Sequence, residues 1–269
     1  MKKILLLAII VAPLLVIAQE KKVSERQQKK AERREKVNQL IKQEEEGALI
    51  FQNQNAFGIK LNTDGYGIFY EKGKYKTLTK TSLWWIELGE HKHTKEQKFA
   101  KGDPNFGFIV GNPYVYGKIN NFYNFKIGIG EQRVIGGKGN KNGVATTLIY
   151  GGGLTVALLK PYYLDVQDPL NNQTKTIKFE QDSVLFLDPT RILGAAGFGK
   201  GFSDMKYIPG VHARTALRFD YGKYNEMLSA IEIGLNAEFY SKKIMQMAKN
   251  KERQFFINAY VALTFGRRK

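Results

Sequence analysis

Three histidines are the side chains best suited to acid–base or metal chemistry in this sequence: His91, His93 and His212. His91 and His93 are two residues apart and share one face of an extended chain, but no third metal ligand is evident. Two hypotheses stay open for this pair: a metal-binding pair, or ordinary exposed histidines of a loop. Asp220 lies eight residues beyond His212, roughly 26 Å along a strand, too far for direct contact.

No other motif in the sequence indicates a catalytic reaction. The sequence contains no Gly-x-Ser-x-Gly elbow, no phosphate-binding loop and no His-Glu-x-x-His pair. It contains no cysteine, which excludes a thiol nucleophile, a cysteine-ligated metal and a disulfide scaffold. We therefore predict no catalytic residue, no metal site and no cofactor. A lipid-directed enzyme using serine, histidine and a carboxylate stays open as an alternative.

Strict alternation of apolar and polar residues is clearest in three segments, 207–221, 228–240 and 254–265. Each carries five or six alternate apolar positions, about the length that a tilted strand needs to cross a bilayer. Long loops alternate with predicted tight turns, at Asn120-Asn121 and at Gly222-Lys223. This pattern predicts an all-β fold, an antiparallel transmembrane β-barrel; a soluble β-domain is the alternative.

The strand count is predicted as eight to ten, with ten preferred, and an even number places both termini in the periplasm. Gln167 to Lys206 is the longest irregular stretch. Besides the three segments above, the predicted strands are 55–61, 67–75, 82–89, 105–118, 122–134, 144–159 and 162–166.

If the apolar positions face lipid, the alternate positions line the barrel interior. Charges of both signs in a narrow lumen must be paired, because an unpaired buried ion is costly. We favour a structural plug, with a narrow ion-selective water path or an active site as alternatives. The predicted lumen charge network consists of Lys60, Glu87, Lys126, His212, Arg214, Arg218, Asp220, Glu232 and Glu238.

Aromatic residues cluster near the predicted strand ends. Amphipathic rings favour the lipid headgroup level, although β-sheets favour aromatic residues in general. The predicted membrane-interface aromatics are Trp84, Trp85, Tyr162, Tyr163, Tyr207 and Tyr221.

The N-terminal residues predict export. Residues 1–18 combine two lysines with an apolar run ending at Ala18, the layout of a signal peptide and too short for a membrane anchor. Residues 19–46 form a charged, helical or disordered periplasmic arm, and 47–269 form the barrel. The formal charge of +17 then favours outer-membrane lipid as a partner rather than nucleic acid.

The C-terminal third resembles outer-membrane β-barrel proteins of Bacteroidota. The resemblance covers roughly 180–269 and is carried by Arg191 to Tyr224, by Gln254-Phe255-Phe256 and by the ending Leu263 to Lys269. It implies a fold and a location, and no reaction. Many outer-membrane barrels end on an aromatic residue, whereas here Phe265 is followed by four further residues.

These observations predict a non-enzymatic outer-membrane barrel that serves as a structural or accessory subunit of an envelope complex, for secretion, barrel assembly or surface transport. The arm at 20–46 and the loop at 167–206 are the expected surfaces for a protein partner. A narrow porin-like channel for ions or small solutes and a lipid-directed enzyme are the alternative functions.

Overall fold

The computed structural model describes residues 27–32, 34, 35, 38, 51–102, 109–138, 143–222 and 226–269. The chain divides into two units, residues 1–50 and 51–269. In the first unit, residues 27–32, 34, 35 and 38 are helical and exposed; the predicted signal peptide and the rest of the arm lie outside the described residues. Within the described part of the chain, no helix is long and apolar enough to cross a membrane.

The second unit is a closed antiparallel β-barrel, which confirms the predicted fold class. Its eight strands are β1 (Asn53–Asn62), β2 (Gly65–Tyr75), β3 (Lys80–His91), β6 (Asn120–Gly136), β7 (Ala145–Pro161), β11 (Lys206–Asp220), β12 (Met227–Ile244) and β13 (Arg253–Arg268). Each strand pairs with its neighbours around the ring in the order β1-β13-β12-β11-β7-β6-β3-β2. The ring closes where β1 pairs with β13, for example Phe57 opposite Phe265.

The preferred count of ten strands is wrong, because two predicted strands lie outside the barrel. In the segment 105–118, β5 (Ile109–Val115) pairs with β4 (Lys98–Gly102) in a separate hairpin. In the segment 162–166, β8 (Tyr163–Gln167) belongs to a small sheet. Both strands are shorter than the 9–11 residues that a tilted membrane crossing needs.

The tight turn predicted at Asn120-Asn121 is also wrong, because both residues lie in β6, paired with the end of β7. The turn comes earlier, at Gly117, whose φ of 70° suits glycine. The other predicted turn, at Gly222-Lys223, lies between β11 and β12, where residues 223–225 are outside the described residues.

The two ends of the barrel differ. At the proximal end, where β1 begins and β13 ends, the connections are residues 76–79, 137–144 and 221–226. At the distal end, the connections are 63–64, 92–119, 162–205 and 245–252. Both long insertions therefore emerge at the distal end.

The distal insertions, 92–119 and 162–205, form what we call the distal cap. The stretch predicted as irregular, 167–206, contains β9 (Thr174–Lys178), one helical turn (Ser183–Phe186) and β10 (Ile192–Ala195). The sheet β10-β8-β9 has its own apolar core. Tyr114 of the first insertion contributes to that core, and the Tyr116 hydroxyl donates a hydrogen bond to the Leu187 carbonyl oxygen at 2.9 Å.

The barrel wall has polar residues inside and apolar residues outside. Buried side chains alternate with more exposed ones along most of the barrel wall, because successive residues of a strand point to opposite faces. The exposed apolar surface surrounds the barrel. Its area is far larger than the apolar patches that a water-soluble monomer exposes. It includes Phe57, Ile59, Leu61, Ile68, Leu88, Ile127, Ile129, Leu154, Val211, Leu217, Ile231, Ile233, Leu235, Phe239, Phe255, Ile257, Val261, Leu263 and Phe265.

Trp85 does not lie at the membrane interface, contrary to the prediction, because it occupies an inward position of β3 and is fully buried. Its indole lies against the bare backbone of β6 and β7. A Cβ atom at Gly128 would come within 2.3 Å of Trp85 Cζ2, and one at Gly151 within 2.8 Å of Cη2. These glycines therefore leave the space that the ring fills.

Gly128→Ala should destabilise the barrel, because the added methyl group overlaps the enclosed indole. Overpacking of this kind costs about 1–3 kcal/mol. We expect the free energy of unfolding, measured by urea titration in detergent micelles, to fall by that amount. Gly137→Ala is the control, since a Cβ atom there meets nothing within 4 Å. Equal stability of the two variants would contradict the proposed packing.

Candidate functional site: the barrel interior

All nine side chains of the predicted lumen network are buried on the inner wall of the barrel. The inward placement follows from the period of two, which puts the alternate positions of every strand on the same face. Two of their ion pairs join neighbouring strands, Arg218 with Glu232 and Lys126 with Glu87, whereas others join strands that are farther apart. Seven of the nine side chains, together with Glu71, form two clusters, one toward each end of the barrel.

The proximal cluster is centred on Arg218 of β11. Its guanidinium donates to both carboxylate oxygens of Glu71, at 2.5 and 2.8 Å, and to Glu232 Oε2 at 2.6 and 2.9 Å. The Tyr260 hydroxyl donates to the other Glu232 oxygen at 2.5 Å. Arg214 adds a 3.3 Å contact to Glu71. Arg218 thus holds Glu71 in bidentate geometry, one of the strong forms of ion pair, while two of its N–H groups converge on one oxygen of Glu232.

Glu71 was missed by the sequence analysis although it completes this cluster. The signal was present: Glu71 alternates with the outward Tyr70 and Lys72 in the predicted strand 67–75, and is fully buried.

The distal cluster is centred on Glu87 and Glu238. Glu87 pairs with the ammonium groups of Lys60 at 2.5 Å and Lys126 at 3.0 Å. Lys126 also pairs with Glu238 at 2.7 Å, and the Tyr240 hydroxyl donates to Glu238 at 2.6 Å. Glu238 therefore pairs with Lys126 rather than with an arginine of the neighbouring strand.

The ion pairs of Glu71 cross the whole bore. Strand β2, which carries Glu71, and strand β11, which carries Arg214 and Arg218, are four strands apart in either direction around the ring. The same holds for β3 and β12, which carry His91 and Glu238, whose side chains meet at 3.3 Å. The bore is therefore bridged by side chains at two heights.

The charges of the two clusters balance. Four fully enclosed carboxylates, Glu71, Glu87, Glu232 and Glu238, face four enclosed cations, Lys60, Lys126, Arg214 and Arg218. The clusters meet at Tyr260, because the Lys60 ammonium lies 4.2 Å from the centre of the ring whose hydroxyl contacts Glu232. Each buried ion is thus compensated, as a low-dielectric interior requires.

Asp220 and His212 lie inside the barrel but outside the two clusters. Asp220 closes the proximal end through a 2.6 Å pair with Arg268 of β13. The His212 ring lies edge-on to Trp85, at 5.9 Å between ring centres, and hydrogen-bonds no side chain among the described residues. The same indole is covered on another side by the Arg214 guanidinium, 3.9 Å from the ring centre.

His91 is not an exposed loop histidine. It ends β3 inside the barrel, where Nδ1 contacts Asp64 at 2.7 Å and the ring stacks on Phe122. His93 lies in the following connection, where Nδ1 accepts the Lys95 backbone N–H and burial lowers the pKa of the ring. The two imidazoles are thus held apart by different partners, and no group of three metal-binding side chains occurs among the described residues.

The predicted interface aromatics divide into three groups. Trp84, Tyr207 and Tyr221 are exposed on the outer wall or at its rim, whereas Trp85 is internal. Tyr162 and Tyr163 belong to the distal cap, because the chain leaves the barrel at Pro161. The Tyr162 hydroxyl accepts the Val115 backbone N–H at 3.1 Å, and the Tyr163 hydroxyl donates to Asp204. That bond, with a second from Lys178, lowers the pKa of the Asp204 carboxyl.

No protein-family model and no curated protein matches the chain. Among solved structures, it is similar to neisserial surface protein A, with 9% identity over 81% of this chain and 95% of that one and a TM-score of 0.36. It is also similar to Ail, the attachment invasion locus protein of Yersinia pestis, with 8% identity over 82% of this chain and 100% of that one and a TM-score of 0.36. A third similar structure is the N-terminal β-barrel domain of Pseudomonas aeruginosa OprF, with 8% identity over 80% of this chain and 98% of that one and a TM-score of 0.34. Its own architecture defines the chain's class: a closed eight-stranded barrel with a bridged polar bore.

Arg218→Met should strongly destabilise the barrel, because it leaves Glu71 and Glu232 buried without their shared cation. Breaking a buried ion pair costs about 3–5 kcal/mol, and we expect that loss in urea unfolding. Arg133→Met is the control, since its pair with Glu131 is largely exposed, and such pairs contribute about 0–1 kcal/mol. Adding Glu71→Gln and Glu232→Gln to Arg218→Met should restore part of the loss. Equal effects of the two single substitutions would contradict the role assigned to Arg218.

Proposed function

We propose that the chain is a non-enzymatic outer-membrane β-barrel that serves as a structural or accessory subunit of an envelope complex. The single observation that carries this proposal is the pairing of a bridged, ion-filled bore with a continuous apolar outer wall. The outer wall needs a bilayer to cover it. The bore is already filled by the protein's own side chains, so the barrel acts as a membrane anchor.

The orientation belongs to this proposal. Bacterial barrels have short periplasmic turns and longer extracellular loops, so we assign the proximal end to the periplasm and the distal cap to the cell surface. This orientation agrees with an N-terminal signal peptide at 1–18 and with the resemblance of 180–269 to outer-membrane barrels of Bacteroidota.

The distal cap is the better supported of the two proposed partner surfaces. It has its own core and exposes large apolar side chains that neither the core nor the barrel uses, with Leu170 exposed by 94% and Val184 by 82%. Both side chains are therefore accessible to another protein. The arm at 20–46 stays a second proposed surface on its charge pattern alone.

The two alternative functions have less support. A porin-like channel needs a continuous water path, which the contacts Arg218–Glu71 and His91–Glu238 interrupt. A lipid-directed enzyme needs a nucleophile beside its base. His91 is positioned by Asp64 as a base would be, but its other side-chain partners are Glu238 and Asn124, and neither is the serine nucleophile of that hypothesis.

The folded wild-type barrel should add no steady ion conductance to a planar lipid bilayer. The variant Glu71→Ala/Arg218→Ala/Glu232→Ala removes the proximal cluster and should raise ion leakage, provided that it still shows the heat-dependent gel shift of a folded barrel. Stable open-channel steps from the folded wild-type protein would refute the anchor proposal in favour of a channel.

The tagged full-length protein, purified from its native membranes in a gentle detergent, should retain a partner protein in fixed stoichiometry. Leu170→Asp/Val184→Asp should lose that partner, because it places charge on the exposed apolar positions of the distal cap. Leu78→Asp, at an exposed position of the proximal end, should keep it. Recovery of the barrel alone would contradict an accessory subunit of a stable complex.

A further inference from the structure

A groove of about 910 Å³ runs along the outer wall of the barrel near the proximal end. It crosses β2, β3, β6 and β7, and it is a shallow groove that lies open along much of its surface. None of the interior clusters contributes a charged side chain to it. One part of the groove is basic and the other is apolar.

The basic part is formed by Lys72, Lys74 and Lys76, at the proximal end of β2 and in the connection that follows. All three side chains are exposed, and none pairs with a carboxylate in the described portion of the chain. The carboxylate in the groove, Glu131, is already engaged by the Tyr150 hydroxyl at 2.6 Å and by Arg133 at 3.3 Å. The groove therefore has an uncompensated positive charge.

The apolar part is formed by Trp84 and Ile129, which are directly paired on β3 and β6. Ile129 is 74% exposed, and Trp84 packs edge-on against Tyr70 with ring centres 5.9 Å apart. This surface continues into the apolar outer wall at Ile127. Cations therefore lie beside a surface that suits an acyl chain.

We propose that this groove binds one anionic glycerophospholipid of the surrounding leaflet. Lys72, Lys74 and Lys76 contact its phosphate and headgroup, and Trp84 and Ile129 contact its first acyl chain. A polybasic surface attracts anionic lipid, and each lysine near the membrane adds to the attraction. The inference rests on the bilayer placement proposed above. A second copy of the chain is a poor occupant, because a two-fold interface would bring the three lysines against their own equivalents.

The test is native mass spectrometry of the full-length protein with dioleoyl phosphatidylglycerol or dioleoyl phosphatidylcholine as the probe. Wild-type protein should retain one phosphatidylglycerol molecule in preference to phosphatidylcholine. Lys72→Gln/Lys74→Gln/Lys76→Gln should weaken that binding about tenfold or more. The matched control is Lys242→Gln/Lys243→Gln/Lys251→Gln, which removes three exposed lysines at the distal end and should leave binding unchanged.

The apolar half is tested by Trp84→Ser against Ile257→Ser, which lies on the exposed face of β13. Only Trp84→Ser should reduce lipid retention. Equal lipid loss in both triple variants, equal retention of the two lipids, or a dimer that Trp84→Ser dissociates would each overturn the lipid site.

Insertion into phosphatidylcholine vesicles, followed by flotation and the heat-dependent gel shift, separates the two proposals. A chain that inserts but shows no lipid preference contradicts the groove alone. A chain that does not insert contradicts the membrane barrel and, with it, the lipid site.

Discussion

The ion pairs that cross the bore are the constraint on which the rest of the barrel depends. Arg218 of β11 reaches Glu71 on the opposite wall, and both groups are completely enclosed. Enclosed ions without partners would cost several kcal/mol each, so these residues must meet. They meet only in one strand register, because a shift of one residue would turn every inward side chain outward. The polar interior therefore stabilises the correct pairing around the whole ring and disfavours every shifted alternative.

The period of two made the barrel and its interior predictable, since it assigns each residue of a strand to one wall. It correctly placed Lys60, Glu87 and Arg218 inside. It did not predict all of their partners: Arg218 meets Glu232 on the neighbouring strand, but its contact with Glu71 crosses the bore and depends on strand order and shear. Trp85 was misplaced although the same pattern assigns it. Glu87, predicted inside, lies two residues from Trp85, so the period of two puts Trp85 on the inner wall and Trp84 on the outer one, and the glycines opposite Trp85 in β6 and β7 leave room for its ring.

The distal cap could not be predicted for a different reason. Its strands are four to seven residues long, too short to show a period, and its core combines Tyr114 with Ile177 and Phe186 from the second insertion. Such a core depends on contacts between distant segments. The segments 105–118 and 162–166 do contain strands, β5 and β8. Alternation alone, however, does not distinguish a strand of the barrel from a strand of a small sheet outside it.

A bore that serves as the core leaves little of the barrel free for other tasks. Substituting a charged member of the two clusters breaks an ion pair, and enlarging a glycine opposite Trp85 disturbs the packing of its ring; each change lowers the free energy of unfolding. An outward residue is restricted only by the need to remain apolar where lipid contacts it. Binding specificity is therefore expected where these restrictions end: on the distal cap, and at the proximal rim of the outer wall, where Lys72 stands directly beside Trp84 on the neighbouring strand.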